Sequence, residues 1–221
     1  MTLHIIVVGG GIGGLAAANA LRRADARVTV LERSDTVHEI GAGIGLGPNA
    51  VGSLTAIGAA DRLRTSVAVP GVTTRRRWAD GADLFHASLG AAPDLYGHPF
   101  WFSHRGDLQQ ALFGAATDPD DAGLPVDVRL GTQVVGVDPD AGAVRTAAGE
   151  TLRADLVVAA DGIHSTLRAA VLGTEPAHYT GHSGFRTQVD VATIADAEAR
   201  ALAERNGFES WLGPSAHVLH A

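Results

Sequence analysis

The sequence predicts an α/β fold built around a parallel sheet, and three observations predict it. A short apolar run, Leu3–Val8, ends in a cluster of glycines; an Ala- and Leu-rich stretch, Leu15–Arg23, follows; a β-branched run, Arg27–Leu31, comes next. Continuous apolar runs of this length read as strands buried on both faces. Together the segments make a strand–helix–strand unit of about thirty residues, the size of a parallel crossover. Far along the chain a fourth run, Leu156–Ala160, reads as another buried strand and ends in Asp161-Gly162.

The remaining elements follow in order. Gly41–Pro48 is dense in glycine and reads as a loop, after which Pro48 opens a helix through Ile57 with Gly58 as its stop. Val72–Trp78 and Leu84–His86 flank Ala79-Asp80-Gly81 and read as a hairpin. A loop carrying Pro93, Gly97 and Pro99 comes next. Leu108, Ala111, Leu112 and Ala115 recur at helical spacing, with Ser103 or Asp107 as the expected cap. Past the turn-rich Asp118–Gly123 stretch, short strands are expected at Val126–Leu130, Val134–Val137 and Ala143–Thr146. A helix is expected from about Ser165, then a break at Gly173–Pro176, a strand at Phe185–Val191 and a helix at Ile194–Arg205.

Composition narrows the function classes. With 46% hydrophobic and 19% charged residues among 221, the chain can bury a sizeable core. The net charge is −7 and the only basic tract is Arg75-Arg76-Arg77, so nucleic acid is not an expected partner. The absence of cysteine excludes thiol nucleophiles, disulfides, cysteine-ligated metals and a cysteinyl cofactor link, and it fits a reducing cytoplasm. The apolar N-terminal stretch lacks a basic leader and is interrupted by five glycines between Gly9 and Gly14, so neither an export signal nor a membrane span is expected.

Two motifs carry chemistry. Gly9, Gly11 and Gly14 satisfy G-x-G-x-x-G between a strand and a helix, with Glu32 at the end of the next strand. In that context the pattern is the dinucleotide fingerprint of a Rossmann fold. Gly9 permits the tight turn, Gly11 lets the backbone approach a pyrophosphate, and Gly14 allows the helix to pack closely, while Gly13 lies between them. The Glu32 carboxylate can accept from both ribose hydroxyls and would repel a 2′-phosphate, which favours FAD or NAD over NADP. The second motif is the buried strand ending in Asp161-Gly162, with Ser165 placed as a cap and Arg168 one turn on. Open α/β sheets bind ligands at such strand ends. A third, weaker signal is Arg105 in His104-Arg105-Gly106-Asp107-Leu108, a cation at a helix start that a bound anion would explain.

These motifs together resemble the single-component (class A) FAD-dependent aromatic hydroxylases, with their glutathione-reductase-like Rossmann domain and a β-sheet substrate domain. The loop Glu39–Ala50 and the segments Trp78–Gly81 and Gly184–Arg186 make the chain similar to the branch holding salicylate hydroxylase and 3-hydroxybenzoate 6-hydroxylase. The resemblance implies FAD as cofactor, held by Gly9, Gly11, Gly13, Gly14, Glu32, Arg33, Gly45, Arg105, Val134, Asp161 and Gly162. It implies NAD(P)H as co-substrate, dioxygen, and a small phenolic or benzoate-type ring as the substrate. It places an active-site His at His217, and it implies no metal.

The same resemblance divides the chain. Residues 1–70 and 100–175 are expected to form the FAD-binding domain, and 71–99 and 176–221 part of the substrate domain. Family members carry a further Gly-Asp-Ala motif for the ribityl chain, which does not occur here, and they are nearly twice as long. The chain is therefore expected to be an N-terminal portion that hydroxylates poorly by itself, with a non-catalytic module needing a partner segment as the alternative.

Overall fold

The computed structural model describes residues 2–37, 42–173 and 178–221. In chain order its elements are β1 (His4–Val8), α1 (Ile12–Arg23), β2 (Arg27–Leu31), β3 (Gly43–Leu46), α2 (Pro48–Ala56), α3 (Ala60–Leu63), β4 (Val67–Ala68), β5 (Val72–Arg77), β6 (Asp83–Ser88), α4 (Ala92–Tyr96), β7 (Trp101–His104), α5 (Arg105–Thr117), β8 (Asp127–Arg129), β9 (Val134–Asp138), β10 (Ala143–Thr146), β11 (Thr151–Arg153), β12 (Leu156–Ala159), α6 (Arg168–Leu172), α7 (Ala197–Ala203), β13 (Gly207–Leu212) and β14 (His217–His220). The chain divides into two compact units. One comprises Met1–Gly41, Leu54–Thr65 and Arg105–Gly184; the other comprises Ala42–Ser53, Ser66–His104 and Phe185–Ala221.

In the first unit a parallel sheet runs in the order β12-β1-β2-β8. Its central strand is buried on both faces. Ile5 and Val7 pack with Ala18, Val28, Val30 and Ala116, while Ile6 and Val8 pack with Leu31, Val134, Val144 and Leu167. The period-two alternation of a strand sends neighbouring residues to opposite faces, so burial on both sides demands an unbroken apolar run. The antiparallel β11-β10-β9 meander supplies Val134 and Val144 to the second of these layers. Among the described residues β12 is an outer strand of its sheet, and Leu156 on it is exposed.

Helices α1 and α5 are joined by buried polar side chains. Leu15, Ala18, Asn19 and Arg22 lie at i, i+3, i+4 and i+7 on the buried stripe of α1. The Asn19 amide donates to the carbonyls of Leu15 (2.8 Å) and Leu112 (2.9 Å). Arg22 is 0% exposed. Its guanidinium donates to the carbonyls of Ala115 (2.6 Å), Ala116 (2.8 Å), Asp118 (2.9 Å), Asp121 (3.4 Å) and Gly123 (3.0 Å). These include the last carbonyls of α5, which have no partner inside the helix and carry the negative end of its dipole. Burial lowers the guanidinium pKa, and the charge of Asp121 opposes that shift.

In the second unit β5 lies between β13, to which it is parallel, and β6, to which it is antiparallel; β14 is the antiparallel neighbour of β13. Arg76 of β5 donates to Glu209 (2.9 Å) and Asp83 (2.5 Å) across the strands. The Glu209 carboxyl sits below the ordinary carboxylate pKa: burial pushes it up, and the bonds and charge from Arg76 outweigh that. A small sheet, β3-β7-β4, carries Phe102, whose ring meets Phe208 of β13 at 5.3 Å.

Several sequence expectations need correction. Gly43–Leu46 is a strand, not loop: it pairs with Trp101–His104, a strand that the sequence reading did not anticipate. Glycine is accommodated there because a Cβ at Gly45 would fall 3.2 Å from the Phe102 ring and 3.3 Å from Phe100. The segment around Pro93 forms the short α4, which Gly97 ends in the left-handed conformation. Neither Ser103 nor Asp107 caps α5. Ser103 lies in β7 with its hydroxyl donating to the His104 carbonyl, and Asp107 is already inside the first turn. Phe185–Val191 does not form a strand; Phe185 is exposed and finds no paired neighbour among the described residues. A strand is stabilised by cross-strand contacts more than by its own propensity. Glu39, Ile40 and Gly41 of the glycine-rich loop, and Pro176 of the expected break, lie outside the described residues.

Replacing Arg22 by Met should destabilise the chain by roughly 3–5 kcal/mol, because several buried carbonyls lose a charged donor at once. Arg22→Lys should recover only part of the loss, since an ammonium offers three donors in place of five. Urea unfolding midpoints at constant slope check both outcomes.

Candidate functional site

The glycine turn sits where β1 gives way to α1. Gly9 adopts φ +109°, and its N–H donates to the Leu31 carbonyl at 2.8 Å. A Cβ at Gly9 would strike the backbone of Ala160, at the end of β12, and a Cβ at Gly14 would strike the Gly9 carbonyl. Both glycines are therefore required by the protein's own packing. Gly11 and Gly13 differ: among the described residues, a Cβ on either would meet no atom within 4 Å. Gly11 is the N-cap of α1, with ordinary extended backbone, and no side chain caps the helix there. The first N–H groups of α1 and the positive end of its dipole thus border open space.

Glu32 follows β2 and turns its carboxylate back to this turn. One oxygen accepts from the Gly10 N–H at 2.5 Å and the other from the Ser34 N–H at 2.8 Å. Arg33 follows it and is exposed. From the other side, Gln109 of α5 donates its side-chain amide to the Gly10 carbonyl at 3.0 Å. Arg105, the first residue of α5, stands one turn before Gln109 on the same side of the helix.

Asp161 and Gly162 follow β12, next to the Gly9 turn. Gly162 has φ +82°, a conformation that favours glycine. The Asp161 carboxylate organises the turn that follows. It accepts from the Ser165 hydroxyl (2.6 Å), the Thr166 N–H (2.8 Å) and the Leu167 N–H (3.2 Å). Burial pushes its pKa up, but the bonds from Ser165, Leu167 and Thr166 outweigh that and hold it below the ordinary carboxylate range. The Ser165 hydroxyl in turn accepts from the Arg168 N–H at 2.9 Å, but Ser165 is not the expected N-cap: α6 begins at Arg168, its N-cap is Leu167, and no side chain caps it there. Arg168 is exposed.

Val134 opens β9 and is buried in the core beneath the sheet. Gly9, Gly11, Gly13, Gly14, Glu32, Arg33, Arg105, Val134, Asp161 and Gly162 all belong to the first unit. Gly45 and His217 belong to the second. His217 begins β14 opposite Leu212 and is exposed. Sequence reasoning missed Gln109, Asn19 and Arg22. Asn19 and Arg22 stand four and seven residues after Leu15, which is the signal that would have placed them on the buried stripe.

Among the described residues no helix is long and apolar enough to cross a membrane.

Lowering pH should loosen the Asp161 turn. The depressed pKa means that its stabilisation is fully present above the ordinary carboxylate range and is lost as pH falls through the folded-state value below that range. Asp161→Asn should cost about 1–2 kcal/mol at neutral pH, the worth of a cap. Stability measured against pH should show the variant and the parent chain converging in acid; a constant gap would contradict the account.

Known proteins resemble this chain along nearly its whole length. The family described as FAD binding domain matches residues 2–216. An FAD-dependent monooxygenase, OpS4, of Beauveria bassiana is 37% identical over 225 residues, covering 98% of this chain and 51% of that protein. A 3-hydroxybenzoate 6-hydroxylase of Klebsiella oxytoca is 35% identical, covering 99% of this chain and 53% of that protein. Among solved structures, Klebsiella pneumoniae HpxO complexed with FAD and uric acid superposes with a TM-score of 0.74 at 27% identity, covering 98% of this chain and 52% of that one. The chain spans about half the length of the relatives it matches. With a parallel Rossmann-like sheet, the glycine turn at its head and the family match along nearly its whole length, the chain belongs to the FAD-binding-domain family of the class A flavin monooxygenases.

Proposed function

We propose that the first unit holds FAD, that the second forms part of a pocket for a phenolic or benzoate-type ring, and that the protein hydroxylates that ring with NAD(P)H and dioxygen. The observation that carries the reading is the difference within the glycine turn. Packing accounts for Gly9 and Gly14, whereas no described residue fills the space beyond Gly11 and Gly13, as close approach of a pyrophosphate requires. Glu32 supports the same reading. An ionised carboxylate offers about four lone-pair sites; Gly10 and Ser34 use one on each oxygen, which leaves capacity for two ribose hydroxyls. The residues present fit the cofactor. Gly9, Gly11, Gly13 and Gly14 would cradle its pyrophosphate, and Glu32 with Arg33 would take its ribose. Arg105, Val134, Asp161 and Gly162, all of the first unit, would complete the contacts. FAD, when bound, supplies the electron transfer and the oxygen chemistry. The protein's part is to bind, orient and exclude water, with His217 as the base that takes the phenol proton.

A second reading, a module that holds flavin only with a partner segment, is favoured by the outer strand β12, whose Leu156 is exposed.

The test is flavin retention through gel filtration, read in the visible spectrum, for the parent chain and two glycine variants. Gly11→Ala should keep stability within about 1 kcal/mol, as expected for Ala at an N-cap, and weaken FAD binding at least tenfold. Gly14→Ala should instead destabilise the fold by ~1–3 kcal/mol or more through overpacking. Parental FAD affinity in Gly11→Ala would refute the cradle. A folded, colourless parent chain would leave the second reading standing. NAD(P)H oxidation with hydroxybenzoates, compared between the flavin-loaded parent and His217→Ala, tests the ring chemistry.

A further inference from the structure

We propose that Gln109 is a positioning residue of the phosphate-binding turn: by holding the Gly10 carbonyl, its side-chain amide directs the Gly11 N–H into the open space beyond the turn. The inference rests on the reading of that turn as the pyrophosphate cradle.

Gln109 is 8% exposed and belongs to α5, far in sequence from the turn it touches. Its Nε2 donates to the Gly10 carbonyl at 3.0 Å. The peptide linking Gly10 to Gly11 is planar and trans, so its C=O and N–H point in opposite directions. Fixing the carbonyl toward α5 therefore fixes the Gly11 N–H away from it. Among the described residues that N–H has no acceptor, and a Cβ on Gly11 would meet nothing within 4 Å. The preceding peptide is fixed independently, because the Gly10 N–H is held by Glu32 at 2.5 Å. Gly10 is thus gripped on both sides by side chains from two different elements.

The orientation of the Gln109 amide is forced. Its Oε1 is buried and finds no donor among the described residues. Turning the amide over would set that oxygen against the Gly10 carbonyl, two acceptors face to face in a buried site, and would orphan both. Residues on glycine turns swing readily because glycine tolerates many backbone conformations. A buried donor from a packed helix restrains the peptide that matters to an anion, and such preorganisation favours binding by reducing what must be ordered on association.

The experiment uses the 221-residue chain with ADP and adenosine as probes, together with the backbone amide spectrum in the absence of ligand. Gln109→Met preserves length and removes the donor; Gln109→Glu replaces the donor by a charged acceptor facing the same carbonyl. In both variants the Gly10 and Gly11 amide resonances should shift or broaden while the rest of α1 keeps its positions. Affinity for ADP should fall at least fivefold, more for Gln109→Glu, with adenosine affinity and melting temperature little changed. Equal losses for ADP and adenosine alongside a lowered melting temperature would make Gln109 a structural residue only and overturn the proposal. So would Gly10 and Gly11 resonances identical to those of the parent. If the parent chain binds no ADP while the Gly11 resonance still responds to both variants, the cradle reading fails and the positioning role stands.

Discussion

The buried guanidinium of Arg22 sets the position of α5 against α1, and the site depends on that position. A helix end that is buried must satisfy several carbonyls that the helix itself cannot. Arg22 reaches two of them, at Ala115 and Ala116, and three more carbonyls of the stretch that follows, at Asp118, Asp121 and Gly123. An isolated buried cation is costly, but one that spends its donors on the negative end of a helix dipole is compensated by both hydrogen bonds and charge. Asn19, one turn earlier on α1, ties the middle of the two helices through the Leu112 carbonyl. Gln109 ties the start of α5 to the glycine turn. The three contacts run along the helix pair from its far end to the glycine turn. With both ends held, α5 cannot slide along α1 without breaking buried polar bonds.

The consequence is a turn restrained from every side. Leu31 holds the Gly9 N–H, Glu32 holds the Gly10 N–H, Gln109 holds the Gly10 carbonyl, and Ala160 closes against Gly9. Only the direction of Gly11 and Gly13 is left open. The strand ends and the two helices do not each contribute a ligand-binding group so much as a restraint on one short stretch of backbone. That stretch then presents N–H groups that find no acceptor among the described residues, at the positive end of a helix, which is the arrangement an oxyanion favours. Asp161 behaves in the same way. Its carboxylate is occupied with the N–H groups of the turn that follows it, and what it contributes to the neighbourhood of Gly9 is a fixed backbone course.

Much of this was legible in the sequence, and the reason is burial. Strand β1 is covered on both faces, so Ile5–Val8 had to be apolar throughout, and its end had to carry glycine; Leu156–Ala160 has the same apolar composition, although β12 is an outer strand and Leu156 is exposed. Gly9 and Gly14 announced themselves because nothing else fits there. Features that depend on a distant partner were not legible. Gly43–Leu46 reads as a loop by composition and becomes a strand because Trp101–His104 lies beside it. Phe185–Val191 has strand-like composition and, without a neighbour, forms none. Arg22 reads as the charged end of an apolar run; only the carbonyls of a helix ninety residues away make its burial sensible.

The two units differ in how tightly they hold the residues assigned to chemistry. In the first, Glu32 and Gln109 bond to Gly10 from other elements, and Asp161 is held by the turn that follows it. In the second, His217 begins a four-residue strand whose backbone is paired with β13, and its own side chain is exposed. A general base works when its geometry is set by surrounding packing and hydrogen bonds. Backbone pairing fixes where His217 starts but not where its ring lies. Gly45, by contrast, is fixed by the Phe100 and Phe102 rings that crowd it. On the proposed function, the groups that would hold the cofactor are restrained within this chain, whereas ring deprotonation by His217 would require further groups around its ring, so flavin retention and hydroxylation are tested separately.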